Sequence, residues 1–122
     1  MAGASVPAHA LFGIEVHAVT MGQAVEVCEA AIESRRPLTV GVVNAAKLVN
    51  LRRDPALRGA VSGCDLVVAD GQAVVWASRL LGAPLPERVA GIDLFTELLG
   101  EASRRAQRVY LLGAAQDVLD LV

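Results

Sequence analysis

Two short runs constrain this chain more than anything else in it. Leu38 to Val43 and Asp65 to Ala69 read as strands that are rich in β-branched residues and nearly continuous in apolar character. A strand with one wet face alternates apolar and polar residues, whereas one buried on both faces does not. Each run stops at a polar residue, Asn44 or Asp70, and a helical pattern follows at once. Strands of this kind must be covered by helices on both sides, so the expected fold class is α/β with a parallel sheet. The chain is 54% hydrophobic and has only four aromatic residues, so that core has to be built from Val, Leu, Ile and Ala.

The surrounding sequence supplies the covering elements. Residues 1 to 10 are small, Ala-rich and aperiodic, and are expected to form a flexible lead-in. Leu11 to Val19 reads as a first strand or hairpin piece bent at Gly13. Thr20 and Gln23 have capping-box spacing and open a helix whose Met21, Ala24, Val25, Cys28 and Ile32 share a face. Asn44 precedes a helix to about Arg53, and Asp54-Pro55 starts a short one to Gly63. A helix from Asp70-Gly71 to Leu81 is ended by Gly82, and Pro84 and Pro86 keep it from resuming. Ile92 to Ala106 is amphipathic, Val109 to Leu112 reads as the last strand, and a final helix starts near Ala115. Ligands of such sheets bind beyond the carboxyl ends of the strands, where Asn44, Asp70 and Gly113 fall.

Several function classes lose their support. The net charge of -2 gives no electrostatic footprint for nucleic acid. The glycine fingerprint of dinucleotide sites, the phosphate-binding loop ending in Lys-Ser or Lys-Thr, and the nucleophile elbow around Ser are all missing. Cys28 and Cys64 lack metal-ligand spacing and lie in apolar surroundings, which suits reduced, buried thiols in the cytoplasm. No uncharged apolar run is long enough to span a bilayer.

The polar residues at the strand ends have two readings each. Asp70 is either the N-cap of the next helix, worth about 0.5–2 kcal/mol, or a carboxylate able to take a proton from a substrate hydroxyl. Gly71 fits a plain turn or the close approach of a ligand. Asn44 and Asp93 are caps or ligand contacts, with Gly91 just before the second of them. Arg88, in a Pro-bounded loop, is a surface side chain, a partner of Glu87, or a fork for a diphosphate.

The stretch VVNAAKLVNLRRDPALRGAVSGCDLVVADGQAVVWASRLLGAPLPERVAGIDLF, followed by RVYLLGAA, resembles the N-terminal half of the TagA/WecG/CpsF glycosyltransferase family. The motifs are N-A-x-K, a strand-terminal D-G, L-P-E-R-V-x-G-x-D and Y-L-L-G-A. The resemblance covers residues 11 to 122 and implies a Rossmann-like enzyme. Its reaction would be an inverting transfer of an N-acetylmannosamine-type sugar from a UDP donor to an undecaprenyl-diphosphate-linked sugar, in bacterial cell-surface polymer synthesis. It implies Asp70 as base, Asn44 and Arg88 as substrate contacts with Gly71, Gly91 and Asp93 beside them, and no metal or other cofactor. The expected location is the cytoplasm, at the inner face of the membrane, with peripheral contact through a basic C-terminal part that the family carries beyond this stretch.

Two departures stand out: Val42 where many members have Thr, and Ala73 where D-G-x-G is usual. The resemblance also makes this chain an expected first part of a larger domain, cut after the fourth or fifth strand. An uncovered strand edge favours a homo-oligomer. The alternative expectation is a non-catalytic remnant that binds at most a nucleotide or a partner subunit.

Overall fold

The computed structural model describes residues 6–121. A β-hairpin of β1 (Ala8–Leu11) and β2 (Ile14–His17) leads into α1 (Met21–Glu33). Then come β3 (Val40–Val43), α2 (Ala45–Leu51), α3 (Pro55–Ser62), β4 (Leu66–Ala69), α4 (Gln72–Leu80), α5 (Gly91–Arg104) and the short α6 (Gln116–Leu119). β3 and β4 pair in parallel, Val40 opposite Leu66 and Val43 opposite Ala69, while β1 and β2 pair antiparallel.

β4 is buried along its whole length, as its apolar run requires, whereas β3 is half-buried except at Val43 because its outer edge borders an open groove. Side chains alternate across a strand, so Val67 and Ala69 point into one core with Val43, Leu48, Leu51, Val61, Val74 and Leu85. Leu66 and Val68 point into a second core with Val19, Ala24, Val27, Cys28, Val89 and Leu94. The hairpin, α2, α3 and α4 therefore cover one face, and α1 and α5 cover the other. Local signals set the helix starts. Thr20 and Gln23 form the full capping box of α1, Asn44 Oδ1 accepts from Lys47 N at 2.8 Å, and Asp54 Oδ1 accepts from Leu57 N at 3.0 Å with Pro55 at the first helical position.

The structure corrects four expectations. Ala8–Leu11 is strand, so the lead-in expected through residue 10 ends before Ala8; residues 1–5 lie outside the described residues. Antiparallel pairing with β2 recovers the backbone hydrogen bonds that an aperiodic segment would leave to water. Val109–Leu112 forms no strand ladder among the described residues, and Tyr110 and Leu112 are exposed. A strand exists only against a partner, and this segment stays at the rim of a groove of about 820 Å³ that follows β3 and α1 and is lined by Leu38, Val40, Ile32, Phe95, Leu99 and Val109. The helix faces match the expected ones only in part: α1 buries Ala24 and Cys28 as expected, together with Val27 and Ala31, while Ile32 is exposed, and α5 buries Ala102 as expected, together with Leu94, while Ile92 and Phe95 are exposed. Finally, Cys64 is only half-buried; Cys28 is fully buried, and both thiols are free. Burial, with Glu29 adjoining, pushes the Cys28 thiol up.

The outer edge of β4 is closed by side chain and loop. Val67 N donates to His17 Nδ1 at 3.0 Å, and Ala69 O accepts from Val89 N at 2.8 Å. His17 thus joins the hairpin to the parallel pair, a role the sequence does not announce. At the far end, Arg105 ties α5 to α1 through Glu101 and Glu33, and Gln107 Nε2 reaches Glu29 Oε2 at 2.8 Å. Replacing His17 by Ala leaves the Val67 N–H without its acceptor, and chemical denaturation should show a loss of about 1–3 kcal/mol. His17→Phe, which fills the space but accepts nothing, should not restore it.

Candidate active site

The site is built where the parallel pair ends. The ladder runs one rung past the strands, because Asp70 N donates to Val43 O at 2.7 Å. That rung sets Asn44 and Asp70 side by side at the carboxyl edge. Gly71 lies against Asn44: a Cβ on it would sit 3.9 Å from the Asn44 Cβ. Gly71 has φ +139 and ψ 132, a backbone region open to glycine alone. This turn throws the chain from β4 into α4 while leaving Asp70 on the sheet edge.

Asp70 is not the cap of α4. The N-cap of that helix is Gly71, with no side-chain cap. The Asp70 carboxylate instead faces α5, its Oδ2 accepting from Gly91 N at 3.3 Å. Gly91 is the first residue of α5, and a Cβ on it would come 3.3 Å from the Val42 Cγ2. Val42 is therefore an apolar shim under the start of α5. Asp93 stands in the first turn of α5 and is exposed; the helix is preceded by Ala90 and has no side-chain cap, so the capping role expected for Asp93 is absent. Its carboxylate still suits the positive end of the helix dipole.

Arg88 lies on the loop after α4, one residue before Val89, whose N donates to Ala69 O at 2.8 Å, and this loop is pinned at several points. Ser78, fully buried, donates to Val75 O at 2.6 Å and accepts from Leu85 N at 3.0 Å. Leu85 and Val89 are buried, and Glu87 Oε2 accepts from Met21 N at 2.8 Å, at the start of α1. Glu87 is thus committed to α1 and not to Arg88. Arg88 is exposed and in no salt bridge among the described residues, so its guanidinium is available to an anion. Gly113, also placed at this edge by sequence, is exposed beyond the unpaired Val109–Leu112 segment.

One neighbour was missed by sequence reasoning. Lys47 Nζ donates to Val42 O at 2.7 Å in a partly buried position, which brings a cation to the end of β3. The signal was present, since Lys47 is the last residue of N-A-x-K and lies three residues after Asn44, one helical turn along the same face.

A carboxylate, an amide, the Lys47 cation and a glycine turn thus share one sheet edge, and Arg88 stands on a loop anchored to the end of β4 through Val89 N, with no ion-pair partner among the described residues. The model of the Glycosyl transferase WecG/TagA/CpsF family matches residues 9–122. The chain belongs to this family.

Its relatives include three enzymes named N-acetylglucosaminyldiphosphoundecaprenol N-acetyl-beta-D-mannosaminyltransferase. That of Bacillus spizizenii is 42% identical over 67 residues, 55% of this chain and 26% of its own length. That of Bacillus subtilis strain 168 is 42% identical over 59 residues, 48% of this chain and 23% of its own. That of Staphylococcus aureus strain NCTC 8325 is 32% identical over 112 residues, 90% of this chain and 44% of its own. The chain thus spans less than half the length of the curated relatives it matches. No helix among the described residues is long and apolar enough to cross a membrane.

Two substitutions separate positioning from chemistry at this edge. Gly71→Ala finds ordinary packing space but a forbidden backbone, so thermal unfolding should report a loss of about 1–3 kcal/mol. Ser78→Ala removes the acceptor of a buried N–H and should cost about as much. Because Ser78 holds the Arg88 loop through Leu85 N, raised loop protease sensitivity should accompany that loss.

Proposed function

We propose that this chain carries the base and donor-side contacts of a sugar transferase. In this reading it moves an N-acetylmannosamine-type sugar from a UDP donor to an N-acetylglucosaminyl-diphosphate lipid. The observation that carries the reading is the placement of Asp70. A carboxylate that ends a buried strand, is not used as the cap of its own helix, and points across the edge toward the start of another helix is free for proton transfer. The activity for which the three relatives are named supplies the sugar and the acceptor.

The proposed step is a single displacement. An acceptor hydroxyl oxygen attacks the anomeric carbon, its proton passes to the Asp70 carboxylate, and a new carbon–oxygen bond forms. The bond from that carbon to the donor diphosphate breaks on the opposite side, and its electron pair leaves with UDP. Charge builds on the leaving diphosphate, so cations there favour the transition state over the bound substrate. Arg88 is assigned that role, because its guanidinium can engage phosphate oxygens through two donors at once. Asn44 is assigned to orientation of the donor. Its side-chain oxygen is already occupied by Lys47 N, which leaves its NH₂ as the part that can donate to a substrate. Gly71, Gly91 and Asp93 line the same edge, and the reading calls for no resident metal. Peripheral membrane contact at the cytoplasmic face and self-association belong to the same proposal.

Asp70→Asn tests the assignment, since it keeps an oxygen for Gly91 N and removes only the basicity. In the full chain, kcat for transfer from UDP-N-acetylmannosamine to the lipid acceptor should fall by about 10²–10⁴-fold. Thermal stability should change by no more than about 1 kcal/mol. Retained turnover in the variant would show that Asp70 is structural. Arg88→Ala should weaken UDP binding, read by calorimetry, while Arg88→Lys should recover it only in part.

A further inference from the structure

The sequence holds eleven Lys and Arg residues, and Lys47 is its single lysine. Lys47 is half-buried and in no salt bridge among the described residues. A charge drawn partly out of water without a counter-charge is costly, so such an ammonium at a sheet edge suits a place that receives an anion. The hydrogen bonds around it run one way. Asn44 Oδ1 accepts from Lys47 N at 2.8 Å, and Lys47 Nζ donates to Val42 O at 2.7 Å. Thr39 O and Val43 O accept from Leu66 N and Asp70 N on the β4 side, so the Val42 carbonyl between them points away from β4, to the open flank of β3. The Asn44 and Val42 oxygens of this corner are thus each taken from within. What remains are donors: two N–H groups of the ammonium and the NH₂ of Asn44.

We propose that Lys47 is a diphosphate-binding residue, with the Asn44 NH₂ as the second donor. The proposal rests on the transferase reading above, in which donor and acceptor each carry a diphosphate. A corner that offers donors and a positive charge matches a ligand that only accepts and is anionic, whereas a neutral sugar brings hydroxyl donors that would meet none of the acceptors already taken. The Asp70 carboxylate does not oppose this, because it ends the neighbouring strand and spends Oδ2 on Gly91 N, while the ammonium lies toward the flank of β3 away from β4. Lysine also suits the place chemically. Its ammonium is a compact charge that can hold a carbonyl with one proton and turn the others to a ligand. The bond to Val42 O restrains the side chain beforehand, so less freedom is lost when the anion binds. A lysine that merely guards an open strand flank differs in one respect: it would stay on Val42 O whatever anion is added.

Amine acylation of the full chain, resolved by peptide mass spectrometry, reads Lys47 directly and needs no variant. A saturating diphosphate ligand, UDP or farnesyl diphosphate, should slow acylation of Lys47 by about tenfold or more. Uridine should not, and the N-terminal amine should react at one rate throughout. Protection by UDP assigns Lys47 to the diphosphate of the donor, and protection by farnesyl diphosphate alone assigns it to that of the acceptor. Lys47→Met should weaken binding of the protecting diphosphate by about tenfold in calorimetry and flatten its dependence on salt, with uridine binding unchanged. A purely structural lysine would move stability and leave that salt dependence as it was. The proposal is overturned if neither diphosphate protects Lys47, or if Lys47→Met binds both as the parent does. Protection by diphosphate in a full chain that transfers no sugar would count against the transferase reading and leave the Lys47 assignment standing.

Discussion

The hydrogen bond from Asp70 N to Val43 O is the constraint on which the rest of the site depends. Parallel pairing of two strands whose side chains feed two cores fixes their register, because a slip of one residue would turn every core side chain to the wrong layer. The extra rung then converts a packing requirement into a chemical one. Asn44 and Asp70 cannot drift apart without breaking the ladder that holds Val43 and Ala69 in the core. The carboxylate is placed by the sheet, not by the loop that follows it, and elements that form the core are the most precise supports a site can have.

The second tier of support reaches the edge from outside. The loop after α4 would be free to swing if only its prolines restrained it. It is held instead by a buried hydroxyl, by two buried apolar side chains, by a backbone bond to Ala69, and by Glu87 at the start of α1. Arg88 stands between Glu87 and Val89, both of which are anchored. A long flexible side chain on a fixed base keeps its reach while losing little backbone freedom on binding an anion, which reduces the entropic cost of recognition.

Much of this was legible in the sequence, and the limits of legibility have physical causes. Continuous apolar runs gave the central strands within one or two residues, and cap chemistry gave the starts of α1, α2 and α3, because both signals are local. Sequence left Asp70 and Asp93 open between cap and ligand contact, because Asp before a helical pattern is ambiguous until the path of the chain is known. The structure gives those helices no side-chain cap and turns Asp70 toward Gly91. His17, Ser78 and Lys47 carried no usable local signal, or a weak one. Their roles come from partners brought near by the fold: Val67, 50 positions along the chain; Leu85, across a turn; and the carbonyl of Val42, within reach only once α2 folds back over β3. Val109–Leu112 shows the converse. Its β-branched and apolar content is that of a strand, yet composition supplies no ladder, and the segment remains unpaired.

The two edges of the β3–β4 pair are not alike. On β4 the outward N–H of Val67 and the outward carbonyl of Ala69 are both taken, one by an imidazole and one by a returning loop. On β3 the opposite edge borders an open groove. The sheet can therefore be extended in one direction only. Any additional strand, from whatever source, is steered to the β3 flank, where a polar terminus of that strand would arrive next to Asn44. Growth of the sheet and extension of the edge that carries Asn44 and Asp70 are thereby the same event.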